Sequence, residues 1–190
     1  LRWRHAFYAS GLKPGDRAAM LLTNSIEAVI FDQAALAAGL IPVPLHAVDT
    51  PGSSAYILHD SGARILVTSS RARWNALHAA AGETLPMLEQ VVLLNELDDE
   101  VIDGVRISGV ETWLARGNGT PSEALPPEPS PDDLAGLIYT SGTTGRPKGV
   151  MLTHANLVAN VAQISDAVEI TESDIYLSFL PFSHTFERTV

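Results

Sequence analysis

Short apolar runs alternate with helical patterns along most of this chain. Residues 17–22 and 40–45 are typical of buried strands, and between them, over 25–38, apolar residues recur at the spacing of a helix face. A strand, a helix and a second strand in this order form a βαβ unit, whose two strands run parallel. The sequence therefore predicts an α/β fold built on a mostly parallel sheet flanked by helices.

The same alternation continues through the first half of the chain. Thr50 followed by Pro51 is typical of a helix N-terminus, and Gly62 is typical of the point where that helix ends. Further strands are predicted over 63–68 and 91–94, with a helix between them. The repeated order of strand and helix favours a sheet that is covered by helices.

Two segments interrupt this alternation. The acidic run at 96–100 is interpreted as a solvated loop rather than a metal site, because no histidines at ligand spacing accompany it. Residues 117–131 are rich in Pro, Gly, Ser and Glu, which is typical of a surface connection without a regular element. We therefore predict a first α/β subregion over 1–116, a surface linker over 117–131 and a second, truncated subregion over 132–190.

The second subregion contains a loop that is rich in glycine and hydroxyl side chains. A strand is predicted before this loop over 134–139, and a short apolar run follows it at 150–152. A last strand is predicted over 175–180, immediately before Pro181. Between the apolar run and the last strand lies a predicted helix with one apolar stripe, formed by Leu157, Val161, Ile164 and Val168.

Composition and charge argue against several classes of protein. The formal net charge is −10 and no cluster of Lys and Arg is present, which argues against a nucleic-acid surface. The absence of cysteine excludes disulfides, thiolate metal sites and thiol nucleophiles. No apolar run is long enough to span a bilayer and no secretory leader pattern is visible, so we expect a cytoplasmic location.

The segment from Tyr139 to Gly149 has the composition of a phosphate-binding loop. Its glycines let backbone N–H groups approach an anion, and its Ser and Thr hydroxyls can donate to phosphate oxygens or bind Mg²⁺. The only lysines of the chain are Lys13 and Lys148, so Lys148 is the candidate that supplies a compact positive charge. Clusters of Gly, Ser and Thr are more often linkers. The phosphate-binding interpretation is favoured by the rigid Pro147 before Lys148. It is also favoured by the expected position of the loop between two buried strands.

This loop is not a Walker A motif. That motif places Lys and Ser or Thr at the start of a helix, whereas Gly149 follows Lys148 here and the next residues favour a strand. Phosphate would therefore be bound by side chains, backbone amides and metal without a helix dipole.

Residues 139–150 resemble the phosphate-loop motif of the adenylate-forming superfamily, which includes acyl-CoA synthetases, firefly-type luciferases and the adenylation domains of peptide synthetases. Segments 11–17, 34–45 and 56–63 are similar to other parts of the same family, so the resemblance covers nearly the whole chain. Residues 180–188 look most like the version of the next motif found in long-chain acyl-CoA synthetases. The resemblance implies part of the N-terminal domain of a long-chain fatty acid–CoA ligase.

The resemblance also implies a reaction in two halves. A fatty acid carboxylate attacks the α-phosphorus of ATP to give acyl-AMP and pyrophosphate, and the thiol of coenzyme A then displaces AMP. ATP, Mg²⁺ and coenzyme A are the implied cofactors and co-substrates. Thr140 would bind Mg²⁺, and Thr140, Lys148 and His184 would act in catalysis, with His184 beside the acyl and adenylate site. The residues implied to bind the nucleotide are Thr140, Ser141, Gly142, Thr143, Thr144, Gly145 and Lys148.

Other interpretations stay open at this point. His184 can equally cap the end of a strand, and Glu187 and Arg188 can pair with each other or with a neighbour. The function can also be that of a ligase for an aromatic, short-chain or amino-acid carboxylate, or of a non-catalytic nucleotide-binding module. We expect the chain alone to be inactive and to self-associate through exposed apolar surface, and peripheral membrane contact stays open.

Overall fold

The structure is a computed structural model that describes residues 1–82, 85–97, 99–140, 145–168, 171–181, 183, 184 and 188. Six α-helices and eight strands alternate along these residues. In chain order they are α1 (Arg2–Ala9), β1 (Arg17–Leu21), α2 (Ile26–Ala37), β2 (Ile41–Pro44), α3 (Pro51–Ser61), β3 (Ile65–Thr68), α4 (Arg71–Ala81), β4 (Gln90–Leu93), β5 (Asp99–Ile102), β6 (Val105–Gly109), α5 (Val110–Arg116), β7 (Leu134–Thr140), β8 (Lys148–Thr153) and α6 (His154–Ala167).

Six of the strands form one sheet in the order β2-β1-β3-β4-β6-β5. All neighbouring strands run parallel except β5, which pairs antiparallel with β6 at the edge. Every residue of β2 and β3 is buried, as expected for parallel strands that are covered by helices on both faces. The predicted α/β fold with a mostly parallel sheet is confirmed.

Local sequence determines where the helices begin and end. The Ser25 hydroxyl accepts a hydrogen bond from the Ala28 amide at the start of α2. Thr50 caps α3 in the same way, ahead of Pro51 at the first helical position. Gly62 ends α3 with φ of 60°, a left-handed conformation that glycine adopts without steric cost. The predicted helix between Thr50 and Gly62 is therefore confirmed.

Two hydrophobic clusters pack on the two faces of this sheet. One joins α1, α2 and α5 through aromatic side chains, with the Trp3 and Trp113 rings 5.2 Å apart and the Phe7 and Phe31 rings 5.7 Å apart. The other joins α3 and α4 around Trp74. Each fully buried large apolar side chain contributes about 1.5–3 kcal/mol, so these clusters supply the main stabilisation of the fold.

Strands β7 and β8 form a separate antiparallel hairpin whose first strand packs beside β2. The flank before the loop is well buried, with Ala135 fully buried, but β8 is exposed along most of its length. The expectation that the loop lies between two buried strands is therefore correct only for β7. Helix α6 follows directly and has no fully buried residue within the described part of the chain, so the predicted apolar stripe is only partly covered there.

Three predictions about secondary structure need correction. Residues 175–180 form no strand, and Ile175 is 99% exposed, because no described strand is available to pair with this run. Asp99 and Glu100, interpreted as part of a loop, belong to the edge strand β5, where their carboxylates pair with Arg116 and Arg71. The connection at 117–131 contains a short 3₁₀ turn at Ser122–Ala124. None of the helices that the structure describes is long and apolar enough to cross a membrane.

Candidate functional site

A cleft of about 570 Å³ lies beside the carboxyl ends of β2 and β7. It brings together Thr140, from the end of β7, and His184, from the segment far downstream. Both were singled out from the sequence. The cleft is lined by Pro44, His46, Asp49, Ser53, Ile57, Ile138, Tyr139, Thr140, Pro147, Pro181, Ser183 and His184.

Thr140 and Lys148 lie opposite each other at the open end of the β7–β8 hairpin. Thr140 is the last residue of β7, Lys148 is the first of β8, and the two are register partners. Both residues are exposed, and Lys148 has no ion pair within the described part of the chain. A hydroxyl and an ammonium group are thus presented side by side to solvent, an arrangement that suits an anionic ligand.

The centre of the predicted nucleotide loop lies outside the described residues. This applies to Ser141, Gly142, Thr143 and Thr144. Gly145 is described and has φ of 89°, a backbone conformation that L side chains rarely adopt. A glycine is therefore needed where the chain turns back toward β8.

Tyr139 joins the hairpin to helix α3. Its hydroxyl donates a hydrogen bond to Asp60 Oδ2 at 2.7 Å. Burial and the hydrogen bond to Asp60 raise the pKa of Tyr139 above its usual value, which keeps the phenol neutral and able to donate. Its ring lies over Gly149, its register partner, where an added Cβ would come within 3.1 Å of the ring. The second flank of the loop also meets α3, because the Arg146 guanidinium lies 5.8 Å from the centre of the Tyr56 ring.

The segment that carries His184 crosses the carboxyl ends of β1 and β2. Asn24, just after β1, donates to Ser178 Oγ at 3.0 Å and to the Leu180 carbonyl at 2.7 Å. His46, just after β2, has its Nδ1 2.9 Å from Ser183 Oγ. These contacts hold the segment over the edge of the sheet where ligands of open α/β folds bind.

Arg188 pairs with a neighbouring carboxylate, in line with the structural interpretation of that residue. Its Nη2 lies 2.8 Å from Asp32 Oδ1 on α2, and both side chains are 1% exposed. The same nitrogen lies 3.4 Å from the Ala135 carbonyl of β7. Burial raises the pKa of Asp32, and the positive charge of Arg188 opposes that rise. Glu187 lies outside the described residues.

Sequence reasoning missed His46, Asp49 and the Tyr139–Asp60 contact. The position of His46 immediately after a predicted strand was a usable signal, because carboxyl ends of parallel strands meet at one edge of a sheet. Asp49 and Asp60 carry no such signal, since they become neighbours of the cleft only through tertiary packing.

The described residues contain no group of three or more His, Cys, Asp or Glu that could hold a metal ion on its own. Mg²⁺ does not need such a group, since it keeps several waters and binds one or two protein oxygens together with substrate phosphates. The cleft offers the exposed Thr140 hydroxyl and the carboxylate of Asp49. The donor set therefore fits a magnesium ion that arrives with a nucleotide.

Comparison with known proteins adds a family match. The model of a family described as AMP-binding enzyme matches residues 2–190. Fatty acyl-CoA synthetase A of Dictyostelium discoideum is 36% identical over 188 residues, which covers 95% of this chain and 27% of that protein. Long chain acyl-CoA synthetase 6, peroxisomal, of Arabidopsis thaliana is 34% identical over 183 residues, with 94% and 26% covered. The chain thus spans about a quarter of the length of these curated relatives.

Solved structures share the fold. The N-terminal domain of FACL13 from Mycobacterium tuberculosis, with an inhibitor bound, superposes with a TM-score of 0.78 at 24% identity, covering 99% of this chain and 44% of that one. ATP-bound MatB from Rhodopseudomonas palustris superposes with a TM-score of 0.73 at 28% identity, covering 99% and 35%.

Proposed function

Because the chain belongs to the AMP-binding enzyme family, we propose that it is the ATP-handling part of a long-chain fatty acid–CoA ligase. The observation that carries the proposal is the cleft that Thr140 and His184 line together, with Lys148 opposite Thr140 across the hairpin. The names of the curated relatives support a fatty acid as the substrate. ATP-bound MatB supports ATP as the nucleotide.

The proposed first half-reaction is adenylation. A carboxylate oxygen of the fatty acid forms a bond to the α-phosphorus of ATP, and the bond from that phosphorus to the bridging oxygen breaks to release pyrophosphate. In the second half, the coenzyme A sulfur bonds to the acyl carbon and AMP leaves. Transfer of this kind depends mainly on in-line positioning and on neutralising phosphate charge.

Lys148 has the central electrostatic role in this proposal. The chain carries a net charge of −10, so a triphosphate needs positive charge supplied locally. Lys148 is exposed at the start of β8 and would stabilise the charge that builds up on the departing pyrophosphate. The nucleotide-binding set proposed with it is Thr140, Ser141, Gly142, Thr143, Thr144 and Gly145.

Thr140 and His184 complete the proposed catalytic set. Thr140 would contribute its hydroxyl to Mg²⁺, which supplies further neutralisation of phosphate charge when it is bound. His184 lines the same cleft as the hairpin residues Tyr139 and Thr140 and would contact the acyl group or the adenylate. Asp49, on the same cleft, would offer a carboxylate oxygen as a second ligand for the metal.

The test is pyrophosphate exchange by the complete protein with a panel of carboxylic acids. Exchange with long-chain fatty acids only is the expected result. Exchange with aromatic, short-chain or amino acids instead would replace the proposed substrate. ATP binding without any exchange would indicate a non-catalytic nucleotide-binding module. The chain of 190 residues by itself is expected to bind ATP weakly and to show no exchange, because it spans about a quarter of the length of its curated relatives.

Four further proposals concern the location of the protein, the division of the chain, its self-association and its contact with membranes. We propose a cytoplasmic location, and fluorescence of a tagged complete protein confined to another compartment would contradict it. The division into 1–116, 117–131 and 132–190 is proposed from composition, and limited proteolysis should cut first within 117–131. Self-association of the chain is proposed from its exposed apolar surface. Peripheral contact of the protein with a membrane surface is also proposed, and flotation with lipid vesicles tests it.

A further inference from the structure

Helix α3 contacts the nucleotide hairpin on both sides of its loop. Asp60 accepts the hydrogen bond from Tyr139, which precedes the loop, and Tyr56 lies under Arg146, which follows it. Tyr56 and Asp60 are four residues apart on α3 and therefore share one face of the helix. One face of α3 thus holds both flanks of the hairpin.

The hydrogen bond between Tyr139 and Asp60 lies next to the residues that are proposed to bind phosphate. Tyr139 precedes Thr140, and its register partner Gly149 follows Lys148. The Tyr139 ring covers Gly149, so the hydroxyl bond to Asp60 holds both strands at this level of the hairpin. The next register pair is Thr140 and Lys148, whose side chains are exposed and make no comparable contact with α3 among the described residues.

The fold itself does not depend on this hydrogen bond. Helix α3 is capped at both ends and packs through Ala55, Ile57 and Leu58, whereas Asp60 is exposed. The bond is nonetheless of the stronger kind, because a neutral phenol donates to an ionised carboxylate. The Tyr139–Asp60 hydrogen bond thus contributes little to the core and instead holds the base of the binding loop in position.

We propose that Asp60 is a positioning residue of the adenylation site, acting through Tyr139 to hold Thr140 and Lys148 in place for the nucleotide. This inference rests on the proposed function. Pre-ordering the hairpin base lowers the conformational entropy that nucleotide binding must otherwise remove. Loss of the contact therefore weakens nucleotide binding and leaves the fold intact.

The test is a double-mutant cycle in the complete protein, with the dissociation constant for magnesium–ATP measured by calorimetry. Tyr139→Phe and Asp60→Ala should each weaken binding by about tenfold, the loss expected when a hydrogen bond to a charged group is removed. The double variant should be no weaker than either single variant, because both remove the same bond. Asp60→Asn keeps an acceptor oxygen and should recover part of the affinity. Tyr8→Phe on α1, far from the hairpin, is the matched control.

Two readouts separate this inference from a structural role and from the proposed function. Exchange kinetics should show a raised KM for ATP with a nearly unchanged kcat, and the melting temperature should stay close to that of the wild type. Equal affinity of Tyr139→Phe and wild type, or additive losses in the double variant, would overturn the inference. If the wild type binds no ATP, the proposed function fails. Amide hydrogen exchange of residues 137–140 and 148–151 then still tests the inference. Tyr139→Phe must speed exchange at these backbone amides, and Tyr8→Phe must leave it unchanged.

Discussion

Arg188 and Asp32 form an ion pair whose atoms lie 2.8 Å apart and whose side chains are both 1% exposed. The pair links α2 to Arg188, whose Nη2 also lies 3.4 Å from the Ala135 carbonyl of β7. It therefore connects α2 to the strand that carries Thr140. A buried guanidinium charge is strongly destabilising unless a carboxylate pairs with it.

Asp32→Ala should destabilise the protein strongly. The substitution leaves the charge of Arg188 buried without its partner, and the expected loss in the free energy of unfolding is about 3–5 kcal/mol. Urea unfolding followed by tryptophan fluorescence measures it. Asp16→Ala, which removes a more exposed ion pair with Arg64, is the control and should cost less. Equal losses in the two variants would contradict the structural role of the buried pair.

Lys148→Ala in the complete protein should slow adenylation by about 100-fold, the order seen when one preorganised electrostatic group is removed. The fold should survive, because the Lys148 side chain is exposed. Pyrophosphate exchange measures the rate. Lys13→Ala, which removes the only other lysine, is the matched control. An unchanged rate in Lys148→Ala would mean that the ammonium group takes no part in the reaction.

Tyr139 should remain un-ionised at a pH at which an ordinary tyrosine titrates, near 10. Its pKa is raised in the folded state by burial and by Asp60. The hydrogen bond that the neutral phenol donates to Asp60 is therefore present below the ordinary pKa and is lost only as pH rises through the higher folded value. Phenolate absorbance should show a late component that is missing in Tyr139→Phe and shifted to lower pH in Asp60→Ala. A wild-type titration without this component would refute the prediction.

The chain alone should self-associate at high concentration. Val158 of α6 is 68% exposed, Met151 of β8 is 67% exposed, and no described strand pairs with the outer edge of β8. An unpaired edge beside apolar surface favours contact with a second copy. Sedimentation velocity should show a species larger than the 20.3 kDa monomer, and Val158→Lys should reduce it. Purely monomeric behaviour across the concentration range would count against the idea.

Local rules were enough to predict the first sheet as far as β4. The Thr50 cap and the Gly62 stop depend on residues adjacent in sequence, and buried parallel strands leave continuous apolar runs. Strand β6 and helix α5 were missed because the segment 105–116 alternates too briefly to reveal its period. The predicted strand over 175–180 was wrong because an apolar run forms a strand only where a partner is present.

The candidate site was partly predictable for a similar reason. Thr140 and Lys148 flank one short loop, so their proximity follows from the chain itself. The residues next to Asp60 and Asp32 in the sequence do not reveal the roles of these two carboxylates, since each meets its partner through tertiary packing. Whether a carboxylate is solvated or buried cannot be judged from neighbours in sequence alone.

The position of the buried ion pair has a consequence for synthesis on the ribosome. Asp32 emerges early and Arg188 is the last residue that the structure describes, so the first sheet can form well before the guanidinium arrives. Until then Asp32 lacks the guanidinium that accompanies it in the folded structure. The buried ionic contact between α2 and Arg188 can therefore close only after nearly all of the described chain has been made.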